Sequence, residues 1–187
     1  MVQRTRYRVG SKRQGKSAQN SLDIHTRIHI VFLKLCGDEM VSLLVLNGPN
    51  LNMLGTRQPE VYGQTTLADL EKLCIEAAST HGASLDFRQT NQEGELVDWI
   101  HAARGKSDGI ILNAGAYTHT SIAIMDAIVS AGVPTLELHL SNIHAREDFR
   151  HKSFIAPVAI GQICGLGARG YPLAVQAMLS HLSGDPE

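Results

Sequence analysis

An α/β fold, a doubly wound five-stranded parallel sheet with helices on both faces, is predicted by three observations in this 187-residue chain. Short apolar runs rich in strand-forming residues alternate with segments whose apolar residues recur at helical spacing. The alternation repeats through five units from about residue 40 onward, the pattern of a parallel sheet covered by helices. Length and composition, with 43% apolar and 19% charged residues, suit one water-soluble domain with a full core.

The elements follow in order. "VSLLVLN" (41–47) reads as the first strand and runs into "NGPNLNMLGTRQPEVYG" (47–63), whose glycines, prolines and asparagines suit neither helix nor strand. "TTLADLEKLCIEAASTHG" (65–82) is a helix with Leu67, Leu70, Cys74 and Ala77 on one face, Thr66 as N-cap and Gly82 at the exit. "ASLDFRQ" (83–89) and "GELVDWIHAARG" (94–105) repeat the unit, with Leu96, Ile100 and Ala103 as the buried stripe. "DGIILN" (108–113) and "TSIAIMDAIVSAG" (120–132) repeat it again. "PTLELHL" (134–140) is the fourth strand, with a short helix expected near "REDFRH" (146–151). "PVAIGQIC" (157–164) is the fifth, followed by "YPLAVQAMLSHL" (171–182), where Pro172 falls in the first helical turn. Five β/α units favour the flavodoxin-like strand order 2-1-3-4-5, which places ligands beyond the carboxyl ends of strands 1, 3 and 4. Those ends read "NGPN", "NAGAYTH" and "ELHLSN", so the polar, non-helical chemistry converges there.

The first 40 residues differ in kind. They hold 8 Lys/Arg against 3 Asp/Glu, whereas the remainder holds 9 against 15. Residues 1–39 are expected to be a basic, disordered leader, and residues 40–187 a single catalytic α/β domain. A strand follows Met40 directly, as it would if the leader came from an upstream start. "IHIVFLKLC" is interrupted by His29 and Lys34 and makes a poor signal peptide. Three widely spaced cysteines, Cys36, Cys74 and Cys164, suggest neither disulfides nor a zinc site and fit the reducing cytoplasm. The longest late uncharged run, 153–168, is shorter than the ~20 apolar residues a membrane span needs. Neither a membrane nor a nucleic-acid partner is expected.

Within the polar ends, the fourth strand breaks the rule that a central parallel strand is apolar on both faces. Leu136, Leu138 and Leu140 share one face while Glu137 and His139 share the other. The pair could be structural; alternatively, a neighbouring carboxylate would orient the His139 ring and make it a good proton donor. "NAGAYTHTS" offers Asn113 and His119 beside hydroxyls that helix capping alone could explain. Asp126 lies seven positions after His119 and is either a solvated acid, an interface acid or part of a site. In the first loop Arg57 and Tyr62 sit among Gly55, Pro59 and Gly63, as loop packing or as a base with its activator. A free phenol, with a pKa of about 10, is only about one part in a thousand ionised at neutral pH. A guanidinium close by can lower such a pKa by roughly 1–3, and arginine stays charged while doing so. "GLGARG" (165–170) matches a dinucleotide-binding pattern, but only 17 residues follow it, too few for the second strand and ribose-binding acid such a site requires.

Together "LNGPNLNMLGTRQPEVYG", "NAGAYTHTS" and "ELHLSNIHARE" resemble the type II 3-dehydroquinate dehydratases, or type II dehydroquinases, over residues 41–183. The resemblance implies a flavodoxin-like fold, no cofactor or metal, and a dodecamer built from four trimers. It also implies dehydration of 3-dehydroquinate to 3-dehydroshikimate through an enolate by anti elimination, in the shikimate pathway or in quinate breakdown. Carried over by position, Tyr62 is the base, Arg57 keeps it ionised and helps close the loop, and His139 is the acid polarised by Glu137. Asn50 holds the water that steadies the enolate, and Asn113, His119, Leu140, Ser141 and Arg150 contact substrate. Asp126 reaches a neighbouring subunit's site.

The residues suit that chemistry apart from the likeness. Removing water from a β-hydroxy ketone needs a base for the C–H, a stabiliser for the enolate and an acid for the hydroxyl, and the three strand ends offer one candidate for each. A Schiff-base route would need an activated lysine, and Lys72, Lys106 and Lys152 of the folded part lie outside these motifs. The alternative reading is a non-catalytic flavodoxin-like ligand-binding or signalling module. Receiver domains of that fold carry acids after strand 1 and an aspartate at the end of strand 3, where this chain has Asn47 and Asn113.

Overall fold

A computed structural model describes residues 40–55 and 64–184. The expectations for residues 1–39, and for Arg57 and Tyr62, lie outside the described residues. Five strands form one sheet: β1 (Ser42–Asn47), β2 (Ser84–Gln89), β3 (Gly109–Asn113), β4 (Thr135–His139) and β5 (Gly161–Cys164). All pair in parallel, in the order β2-β1-β3-β4-β5 expected from the count of β/α units. Helices α1 (Leu67–Ser79), α2 (Glu93–Ala103), α3 (Ile122–Ala131) and α4 (Gly170–Ser183) cover it.

Strand periodicity divides the core in two. Leu43, Val45, Ile111, Leu136 and Leu138 pack against α1 and α4 residues such as Leu70, Cys74, Val175 and Met178. The alternate residues Leu44, Leu46, Ile110 and Leu112 pack against Leu96 and Ile100 of α2 and Ile124 and Ile128 of α3. Each such buried aliphatic side chain contributes about 1.5–3 kcal/mol of transfer free energy. Burial pushes the Cys74 thiol up to about 12, so it serves as a small apolar side chain.

Helix ends follow local chemistry. Thr66 starts α1 through a capping box, its hydroxyl accepting from the Asp69 N–H at 3.2 Å while the Asp69 carboxylate accepts from the Thr66 N–H at 2.9 Å. The Ser121 hydroxyl caps α3 by accepting from the Ile124 N–H at 2.9 Å.

Two expected elements are different in the structure. The short helix expected near 146–151 is a 3-10 turn, Asp148–Arg150, preceded by another at Ile143–Ala145, and not an α-helix. Asn142 turns the chain locally, its side chain accepting from the His144 N–H at 3.1 Å, and only Ile143 of these turns is buried, too small an apolar face to anchor an α-helix. The fifth strand is shorter than the run 157–164, because Ala156–Val158 is a 3-10 turn and Pro157 has no N–H to offer a ladder.

The carboxyl ends of β1 and β3 meet closely, with Asn47 and Asn113 in register. The Gly48 N–H donates to the Asn113 carbonyl at 2.8 Å. A Cβ at Gly48 would lie 2.4 Å from the Ala114 carbonyl oxygen, so only glycine permits this crossing. Among the described residues, no helix is long and apolar enough to cross a membrane.

Candidate active site

Beyond these strand ends lies an open cleft of about 190 Å³. Its described lining includes Asn50, Asn113, His119, His139, Leu140, Ser141 and Arg150, residues from three separate strand ends. This is the crevice that the strand order requires, on the side where winding reverses.

The cleft floor is built by β4. Strand alternation sends Leu136 and Leu138 into the α1/α4 core and leaves Glu137 and His139 on the opposite face. His139 Nε2 lies 2.9 Å from Glu137 Oε1. A carboxylate can only accept, so Nε2 carries the proton in this contact and Nδ1 is left for the cleft. Glu137 itself is fully buried behind His139. Its Oε1 also accepts from Thr118 at 3.0 Å and Ser153 at 2.8 Å, and its Oε2 from Ser153 at 3.0 Å and Gln162 at 2.8 Å. Burial pushes the Glu137 carboxyl up, but the hydrogen bond and charge of His139 and the hydroxyl donors outweigh it and hold the carboxyl below its usual range. The carboxylate therefore serves as the acceptor that orients the His139 ring.

His119 stands nearby, its ring nearly parallel to that of His139 at 13° with centroids 6.4 Å apart. Its Nδ1–H donates to the Lys152 carbonyl at 2.8 Å, which leaves Nε2 for a ligand. Asn113 is held from behind: its Nδ2 donates to the Tyr171 hydroxyl at 2.9 Å, and that hydroxyl donates to Asn47 Oδ1 at 2.6 Å. The Asn113 amide orientation is thus set, with its second N–H available to the cleft.

Asn50 begins the 3-10 turn Leu51–Met53 with φ of 67°, the one positive φ at a non-glycine residue among those described. Asparagine tolerates this left-handed geometry, and the Asn50 N–H is fixed by Asn91 Oδ1 at 2.9 Å. At the other rim Arg150 and Arg146 approach the same exposed acid, Glu147 Oε2, at 3.0 and 3.5 Å. Two guanidiniums on one carboxylate leave this wall net positive, suited to an anionic ligand. Leu140 and Ser141 follow β4 directly; the Leu140 carbonyl accepts from the Gly167 N–H at 2.9 Å. That bond, with Gly165 N–H to the His139 carbonyl at 3.3 Å, makes "GLGARG" a brace for the end of β4.

Asp126 stands apart, exposed on α3 and outside the cleft of its own chain. Arg57 and Tyr62 lie outside the described residues. Sequence reasoning missed Thr118, Ser153, Gln162, Tyr171, Asn47 and Arg146. Gln162 could have been noticed as a polar residue in an apolar strand in register with Glu137, but that register is a tertiary fact.

The comparisons agree with this geometry. The family model for class II dehydroquinases matches residues 41–179. The 3-dehydroquinate dehydratase of Dinoroseobacter shibae is 62% identical over 143 residues, covering 76% of this chain and 95% of that protein. The 3-dehydroquinate dehydratase 2 of Pseudomonas putida is 60% identical, covering 75% and 92%. Among solved structures, the type II dehydroquinase from Butyrivibrio crossotus superposes with a TM-score of 0.73 at 40% identity, covering 75% of this chain and 99% of that one. The type II dehydroquinase from Propionibacterium acnes superposes with a TM-score of 0.71 at 42% identity, covering 79% and 100%. Sheet order, cleft and similarity point one way, and the chain belongs to the class II dehydroquinase family.

Proposed function

We propose that this chain dehydrates 3-dehydroquinate to 3-dehydroshikimate by an enolate-mediated anti elimination. The observation that carries the reading is the buried Glu137–His139 pair at the floor of a cationic cleft, in a chain of this family. Tyr62, kept ionised by Arg57, takes the proton beside the ketone. The electron pair moves onto the ketone oxygen as an enolate, steadied by a water that Asn50 holds. Collapse of the enolate expels the β-hydroxyl, which takes a proton from His139 and departs as water. His139 is left neutral with Nε2–H still facing Glu137. Elimination of water is redox-neutral, and the reading takes no cofactor.

Asn113 and His119 hold substrate hydroxyls, while Leu140 and Ser141 backbone donors and Arg150 receive the carboxylate. Asp126 acts in a neighbouring copy's site, in a dodecamer of four trimers. Its exposure on α3 between exposed Ile122 and Val129 supports a contact with another copy. The family match beginning at residue 41 supports residues 40–187 as the catalytic domain and residues 1–39 as a leader. A cytoplasmic enzyme of the shikimate pathway or of quinate breakdown fits the reaction.

The test is ultraviolet absorbance on mixing the full chain with 3-dehydroquinate. The conjugated enone of 3-dehydroshikimate is expected to appear, and to be nearly abolished in Tyr62→Phe. A folded wild-type chain that gives no enone overturns the function. Near-normal turnover by Tyr62→Phe removes that residue as the base.

A further inference from the structure

Glu137 is an ionised group with no arginine or lysine in hydrogen-bonding contact among the described residues. Burying such a charge is costly unless its lone pairs are satisfied. Among the described residues, Oε1 faces the reacting histidine, Thr118 and Ser153, whereas Oε2 receives Ser153 and Gln162. Ser153 straddles both oxygens and is itself fixed by accepting the Ile155 and Ala156 N–H groups at 3.0 and 2.9 Å. Gln162 is the donor committed to Oε2 alone, at 2.8 Å, and it is placed by the β4–β5 ladder, where it is the register partner of Glu137.

We propose that Gln162 is a positioning residue of this site: it anchors Oε2 so that Oε1 stays turned to His139 and the carboxylate stays ionised while His139 exchanges its proton. It touches no reacting atom and acts through Glu137. The surroundings leave few rivals for this role. From β4 itself comes His139; from the turn Gly115–His119 come Thr118 and, against the His139 ring, His119. From the following segment come Ser153 and Lys152, whose ammonium sits 4.3 Å over the Phe154 ring. From β5 come Gln162 and, in register with His139, Cys164. His139 is the titratable group in contact with the carboxylate, so the remaining stabilisation of its charge falls to neutral donors.

The inference rests on the proposed reaction for its use in turnover, but its core can be read without substrate. The experiment follows the Glu137 carboxyl by carbon-13 NMR during a pH titration of the full chain, in wild type, Gln162→Met and Gln162→Val. Both variants remove the donor, and the β-branched valine suits a strand if methionine does not. The Glu137 carboxyl is expected to take up a proton at higher pH in both variants. In steady-state kinetics the acid limb of kcat is expected to move the same way, with kcat at acid pH lower by roughly fivefold and KM within about twofold. An unchanged Glu137 titration in a folded variant overturns the proposal. A shifted titration with a superimposable kcat profile overturns its role in turnover, and a wild type without turnover overturns the reaction instead.

Discussion

Leu136 and Leu138 are 5% and 0% exposed on one face of β4, and Glu137 and His139 are 0% and 5% exposed on the other. Equal burial is achieved by different means. The leucines need only shape, and they find it among Leu43, Val45 and the α1/α4 side chains. The polar pair loses hydration that an apolar pair would not, and it needs Thr118, Ser153 and Gln162 around it to be tolerated. Stability alone would favour two more aliphatic residues on that face. The polar face therefore marks where the fold gives up stability for a buried, hydrogen-bonded carboxylate–imidazole pair at the floor of the cleft.

The largest expected effect comes from exchanging losses between the two faces. His139→Gln keeps a group able to donate to Glu137 but removes the proposed acid, so kcat for 3-dehydroquinate should fall by about 10²–10⁴-fold. Its stability should change by less than about 1 kcal/mol, because the contact to the carboxylate can be kept. Leu138→Ala should do the reverse, costing about 2–5 kcal/mol in denaturant unfolding while kcat per folded molecule stays within a few-fold. If Leu138→Ala lowers kcat as steeply as His139→Gln under conditions where both are folded, the division between the faces does not hold.

Tyr171→Phe sharpens the comparison at a smaller scale. Tyr171 is fully buried, and burial pushes its phenol well above its ordinary range, against the opposing pull of its Asn113 hydrogen bond. It therefore stays a neutral donor rather than a base. Removing its hydroxyl strands Asn113 Nδ2 and Asn47 Oδ1 in the interior at a cost of about 1–3 kcal/mol. Freed from its anchor, Asn113 should also bind substrate less well, which a rise in KM larger than the fall in kcat would report. Loss of stability with an unchanged KM would confine the hydroxyl to a structural role.

The sequence made some of this legible and hid the rest for physical reasons. The strands and helices are carried by local periodicity, so their order and the polar strand ends could be read directly, and Glu137 and His139 share a face because side chains alternate along any strand. The shell around Glu137 could not be read. Gln162 reaches it through the β4–β5 register, Ser153 through a loop, and Thr118 looked like one more capping hydroxyl beside Ser121, which does cap α3. Tyr171 read only as the start of a helix, because nothing in "YPLAV" says that its hydroxyl ends between two asparagines from β1 and β3. The helix expected near 146–151 is only a 3-10 turn at Asp148–Arg150, since composition there permits a helix and only the missing apolar face keeps it from extending.

Asp126 marks the opposite extreme from Glu137, an acid in open solvent beside one in the core. Among the described residues nothing is built around its side chain: the Ser130 hydroxyl donates to its backbone carbonyl, at 2.7 Å, and the side chain lies outside the cleft. Asp126→Ala should therefore shift unfolding free energy by no more than about 0.5 kcal/mol, the smallest stability effect expected here. Ile122 and Val129, 54% and 63% exposed on the same helix, give that surface an apolar border suited to a second copy. If Asp126 completes a neighbour's site, the variant should show a raised KM or a weakened assembly in sedimentation, with the tertiary fold intact. Unaltered KM together with unaltered sedimentation would return Asp126 to the solvent and leave each cleft complete within one chain.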